Sequence, residues 1–139
     1  MPVAPILIAA SAAIILALGC IHLLYTFTGN KLTPRESELE GRMKQVSPQI
    51  SRETTMWKTW VGFNASHAGG AILFGLLYGY FALWHHDFLR NSVFLSGLGA
   101  TWLVAYCVLG KRYWFSVPFR GIALATALYV AGLIVASLA

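Results

Sequence analysis

Four long apolar stretches, separated by short polar ones, dominate the chain. The first runs from about Val3 to Thr28, with no charged residue and a single histidine. The others run from about Trp57 to Trp84, Ser92 to Gly110 and Gly121 to Leu138. Each can cross roughly 30 Å of hydrocarbon as a helix of about 20 residues. Within lipid every backbone N–H and C=O must be satisfied inside the segment, and no alternating pattern supports a barrel. The pattern predicts an all-α, four-helix transmembrane bundle that forms one domain over residues 1–139.

The first polar stretch has a pattern of its own. Thr33-Pro34-Arg35-Glu36 reads as a capping box, with Thr33 as N-cap, Pro34 at the first helical position and Glu36 at N3. Leu39, Met43 and Val46 follow at helical spacing, and Glu38/Arg42 and Glu40/Lys44 are i,i+4 pairs. These predict a short amphipathic helix over about 34–46, ended near Ser47-Pro48 and lying on the membrane surface as a connector, a lid or a docking element.

Composition agrees with a membrane protein. Of 139 residues, 58% are hydrophobic and 11% charged, against about 25% charged in soluble domains. So much apolar surface also excludes a disordered chain. Ten Lys/Arg against five Asp/Glu give a net charge of +5, concentrated in connecting stretches. That placement suits lipid headgroups and not a nucleic-acid groove. Cys20 and Cys107 lie inside apolar runs and read as small packed residues, not as a disulfide framework.

Basic residues set the expected orientation. Lys31, Arg35, Arg42, Lys44, Arg52 and Lys58 flank or fill the first connection, and Lys111, Arg112 and Arg120 the third. The opposite side carries only Arg90. Both basic connections are expected in the cytoplasm, both termini on the non-cytoplasmic side, and the protein in a bacterial inner (plasma) membrane. Lys111, Arg112, Tyr113 and Trp114 mix cations with rings, as a membrane-interface anchor requires. The first span lacks the basic leader of a secretory signal, and its apolar run continues past any cleavage point, Leu18-Gly19-Cys20 included. Asn64-Ala65-Ser66 matches a glycosylation sequon, but at membrane depth.

Small residues recur at helical spacing: Gly62, Ser66 and Gly70; Gly75 and Gly79; Gly97, Thr101 and Ala105; Ala125, Gly132 and Ala136. Such stripes let membrane helices approach closely, within the chain or in a homo-oligomer.

No acidic or basic side chain lies deep in a span, which argues against a proton-driven exporter or a channel with a charged ring. Nucleotide-binding, nucleophile-elbow and cysteine-rich metal patterns are missing as well. His85-His86-Asp87, at the outer turn, reads as a solvated turn. No side chain is assigned a catalytic role or a metal site. What remains is His22 on the first span with Asn64 and His67 on the second. At 1.5 Å per residue they lie about 9, 12 and 16 Å from the cytoplasmic end. Antiparallel neighbours would bring His22 near Asn64, with His67 about one turn deeper. Trp57 and Trp60 extend the Asn64 stripe, and Tyr25 and Tyr106 fall near the cytoplasmic mouth.

Three readings of this set stand side by side. It lines a pocket for a small apolar ligand such as a lipid or quinone, open toward the inner leaflet, with His22, Asn64, His67, Tyr25, Trp60 and Tyr106 as ligand-binding residues. Alternatively it only fixes helix packing by interhelical hydrogen bonds, in a structural or accessory protein that joins itself or a larger membrane complex. In the third, the histidines are axial ligands of b-type haem; an offset of one turn counts against that. A non-haem metal lacks a third ligand and a carboxylate. Membrane lipids are the expected partners.

Gly19-Cys20-Ile21-His22 together with Gly62-Phe63-Asn64-Ala65-Ser66-His67 resembles a pattern in small, uncharacterised bacterial four-span integral membrane proteins. The resemblance implies the four-span topology and carries no activity.

Overall fold

The computed structural model describes residues 3–138, which form six α-helices and, among the described residues, no strand. They are α1 (Val3–Phe27), α2 (Ser37–Gln45), α3 (Met56–Trp84), α4 (His86–Asn91), α5 (Val93–Tyr113) and α6 (Ser116–Leu138). Helices α1, α3, α5 and α6 are long and apolar enough to cross a membrane. With 21 to 29 residues each, they reach about 32 to 44 Å. Large apolar side chains such as Leu24, Leu73, Val104 and Ile134 remain exposed along them. An apolar outer surface of that extent is what a lipid solvent accommodates and water does not. The chain is built as an integral membrane protein.

Backbone contacts divide it into two units: one up to Leu18 and from Ala71 onward, the other Gly19–Gly70.

In the first unit, small residues let helices approach at backbone distance. A Cβ on Gly75 of α3 would lie 2.6 Å from Leu16 Cβ and 2.8 Å from the Ala12 carbonyl oxygen of α1. One on Gly132 of α6 would lie 2.7 Å from Ile8 Cγ1. Both contacts need hydrogen in place of a side chain. Ile8, Ala12, Ile15, Leu103 and Ala125 fill the buried centre around them. The gain is dispersion between close-packed surfaces, the main attraction left once lipid replaces water.

Two tyrosines carry hydrogen bonds into this core. Tyr78 of α3 donates to the Leu95 carbonyl at 2.8 Å, and Tyr129 of α6 to that of Ser96 at 3.2 Å. Both carbonyls belong to the first turn of α5, whose Ser92 caps it by accepting from the Leu95 N–H. The tyrosine rings meet edge to face at 5.7 Å, and Phe74 stacks on Tyr78 at 4.4 Å. Gly99 faces both rings, and a Cβ there would overlap the Tyr129 hydroxyl.

Helix α2 starts later than the capping-box pattern predicts. Thr33 spends its hydroxyl on the Asn30 carbonyl, and Glu36 is extended (φ −94°, ψ 116°) and makes no side-chain cap. A helix begun at Pro34 would require Glu36 to be helical, so α2 is limited to Ser37–Gln45. Of the two charge pairs, Lys44–Glu40 forms at 2.6 Å. Glu38 and Arg42 form no ion pair among the described residues. Helix α6 begins at Ser116, ahead of the Gly121 start read from hydropathy; Pro118 falls in its first turn, where a missing N–H loses no helix bond. The break before α6 is short, so Lys111, Arg112 and Tyr113 form the last turn of α5, and Trp114 is its C-cap.

Candidate functional site

The second unit holds the polar set. His22 lies on the last two turns of α1, while Asn64 and His67 lie one helical turn apart on α3. His22 Nε2 is 3.0 Å from Asn64 Oδ1, and the Asn64 amide nitrogen donates to the Trp60 carbonyl at 2.8 Å. A carbonyl only accepts, so the amide nitrogen must face Trp60 and the amide oxygen His22. His22 is therefore the donor, through Nε2–H, and in the neutral ring Nδ1 is its acceptor nitrogen. The His67 ring meets that of His22 edge to face, with centroids 5.3 Å apart and planes at 84°.

The relay continues toward the chain connection. Thr26 Oγ1 donates to the His22 carbonyl at 2.8 Å, and Trp60 Nε1 donates to the Leu32 carbonyl at 3.0 Å. Leu32 lies in the segment after α1, so the indole ties that segment to α3. Gly29 makes the turn out of α1 with φ +71°, the left-handed conformation that glycine adopts without a Cβ clash.

These bonds frame a cavity of about 250 Å³ between the C-terminal end of α1, the segment beyond it and the first turns of α3. Tyr25, Phe27, Trp57 and Trp60 supply aromatic wall, and Thr26, Thr33 and Asn64 are the polar side chains beside them. No charged side chain lines it. Lys44 of α2 places its ammonium 5.2 Å from the centre of the Trp57 ring and is held there by Glu40.

The structure thus brings His22, Asn64 and His67 into one cluster and sets Tyr25 and Trp60 along the adjoining cavity. Tyr106 belongs to the first unit, where its ring lies 5.3 Å from that of Trp102 and 6.1 Å from that of Trp114. His85 bonds the Tyr80 hydroxyl at 2.9 Å. Sequence reasoning missed Leu32, whose contribution is a backbone carbonyl and leaves no side-chain signal. It also missed the cavity's dependence on Gly29; the pair Thr28-Gly29 after an apolar run was the available cue.

Two axial imidazoles of a haem must aim their nitrogens at one iron from opposite faces of a flat macrocycle. Here the two rings touch edge to face and His22 Nε2 is turned to Asn64, so the pair as placed does not fit b-type haem. Among the described residues no group of three His, Cys, Asp or Glu side chains could hold a metal ion.

Compared with known protein families, curated proteins and solved structures, the chain matches none.

Proposed function

We propose that the protein binds a small apolar or amphipathic membrane molecule, a lipid or quinone, in the cavity ended by Asn64 and backed by His22 and His67. The observation that carries this reading is the combination of aromatic walls and an uncharged lining in one cavity that also takes in Asn64, the partner of a hydrogen-bonded histidine. Ligand sites are commonly built that way, with apolar surface for affinity and few polar groups for orientation. At about 250 Å³ the cavity takes a headgroup or ring, with any tail left in lipid.

Orientation follows the basic residues. Nine of the ten Lys/Arg fall at residues 31–58 or 111–120, in and around α2 and the α5–α6 junction, and Arg90 alone falls in α4. In a bacterial inner membrane those nine face the cytoplasm, both termini lie outside, and the cavity opens to the inner leaflet. There α2, which buries none of its residues, lies along the interface with Leu39 and Val46 toward lipid. Lys111, Arg112, Tyr113 and Trp114 anchor the same face.

The binding reading is tested by mass spectrometry of an organic extract from purified protein, compared with Asn64→Leu. A stoichiometric molecule lost in the variant supports it. None in either, with both proteins folded, contradicts it.

One observation favours a second reading, in which the cluster only holds helices together: Asn64 uses both ends of its amide within the protein. In that case the outward-facing stripe of Gly97, Thr101 and Ala105 on α5, with open space beside Gly97, is the natural contact for a second copy or a larger complex.

A further inference from the structure

The cavity end formed by α1 is rich in acceptors. Helix α1 stops at Phe27, and the Leu24 carbonyl receives both the Thr28 N–H and the Thr28 hydroxyl. The next three carbonyls, of Tyr25, Thr26 and Phe27, receive no hydrogen bond among the described residues. These are the orphan acceptors every helix leaves at its C-terminus, where the helix dipole is also negative. Tyr25, Thr26 and Phe27 all line the cavity.

The opposing wall is aromatic. Trp57 and Trp60 are one helical turn apart and both line the cavity. The Trp57 ring already holds the Lys44 ammonium at 5.2 Å, while Lys44 is not a lining residue. A π face, unpaired carbonyls and a negative helix end, with no cationic side chain in the lining, are the complement of a positive nitrogen. A primary ammonium has three N–H donors for these carbonyls; a quaternary one has none.

The surrounding charge selects further. Residues 19–70 carry six Lys/Arg and four Glu, a net +2. Lys31 and Lys58 directly adjoin the lining residues Leu32 and Trp57 in sequence. A simple cation approaches such a surface against repulsion. A zwitterion, with a phosphate beside its ammonium, does not.

We propose that the cavity at the end of α1 receives the primary ammonium of an aminophospholipid headgroup, between the α1 carbonyls and the Trp57 and Trp60 rings. The inference rests on the ligand-site reading above and names the chemistry of its ligand.

The test is native mass spectrometry of the full-length protein, delipidated in detergent and titrated with phosphatidylethanolamine, phosphatidylcholine or phosphatidylglycerol of matched acyl chains. Phosphatidylethanolamine is expected to bind about tenfold or more tighter than the other two, the worth of one or two hydrogen bonds. Trp57→Leu is expected to weaken it about 3- to 30-fold with helical content unchanged. A competition on the wild-type protein needs no variant. Soluble ethanolamine that displaces the lipid makes the ammonium alone the recognised group, whereas displacement only by intact phosphatidylethanolamine makes it the whole headgroup. Equal binding of phosphatidylcholine, or tighter binding of phosphatidylglycerol, overturns the ammonium assignment and leaves the ligand site standing. Failure of every lipid class to bind, including quinone in a parallel titration, overturns the ligand site itself.

Discussion

His22 and Asn64, 42 residues apart, meet at 3.0 Å through Nε2 and Oδ1, a side-chain hydrogen bond that joins the end of α1 to the N-terminal third of α3. Its worth is measurable. Each single replacement, His22→Phe or Asn64→Leu, is expected to destabilise the protein by about 1–3 kcal/mol, because it leaves a polar partner unsatisfied in a low-dielectric setting. The double variant is expected to recover part of that loss, with a coupling of about 0.6–2 kcal/mol. Thermal unfolding in detergent across the four proteins gives the cycle. Additive losses would mean the two side chains act independently.

The meeting of these residues was legible in the sequence because hydropathy gives the depth of each, and consecutive spans cross the bilayer in opposite directions. The span that starts α6 was misplaced by several residues because Arg120 and Pro118 look like loop residues, yet a first helical turn tolerates both. Thr33-Pro34-Arg35-Glu36 misled for a different reason. The capping-box pattern tests local propensity, but here the Thr33 hydroxyl goes to the Asn30 carbonyl. The Tyr78 and Tyr129 bonds to α5 were invisible, since their acceptors are backbone carbonyls and hydropathy does not say which face of a span meets which neighbour.

Helix approach through glycine predicts a contrast between two positions. Gly75→Ala places its Cβ against Leu16 and the Ala12 carbonyl and is expected to cost about 1–3 kcal/mol by overpacking. Gly97→Ala meets nothing within 4 Å and is expected to be neutral or stabilising by up to about 1 kcal/mol, as alanine suits a helix better. Thermal unfolding of the two variants side by side decides it. Equal effects would remove the packing argument.

Tyr129→Phe removes the donor to the Ser96 carbonyl and leaves the ring in place. The expected loss is about 0.5–1.5 kcal/mol. Hydrogen exchange localises the effect: amides in the first turns of α5 should lose protection before those of its C-terminal half. Uniform loss along α5 would show that the hydroxyl does not pin its start.

Gly29→Ala tests the turn that shapes the cavity mouth. There is room for the methyl group, so the whole effect comes from φ +71° and is expected to be about 1–2 kcal/mol. Gly41→Ala, within α2 and with equally open space, is the control and is expected to be neutral or mildly stabilising. A Gly29→Ala protein as stable as the parent would argue against the left-handed turn.

Membrane orientation is checked with a single cysteine at Ser47 in a Cys20→Ser, Cys107→Ala background. A membrane-impermeant maleimide is expected to label it in inverted inner-membrane vesicles and not in intact cells. Labelling from outside would reverse the assignment of the basic face.

The central claim is that the cavity beside His22 and Asn64 holds a membrane molecule. Mass spectrometry of an organic extract from the purified wild-type protein, set against Asn64→Leu purified in the same detergent, tests it most directly. The account predicts one lipid or quinone per wild-type chain, and at least a severalfold loss from a variant that keeps its helical content. The same molecule retained in equal amount by both, or no molecule from either, would contradict it.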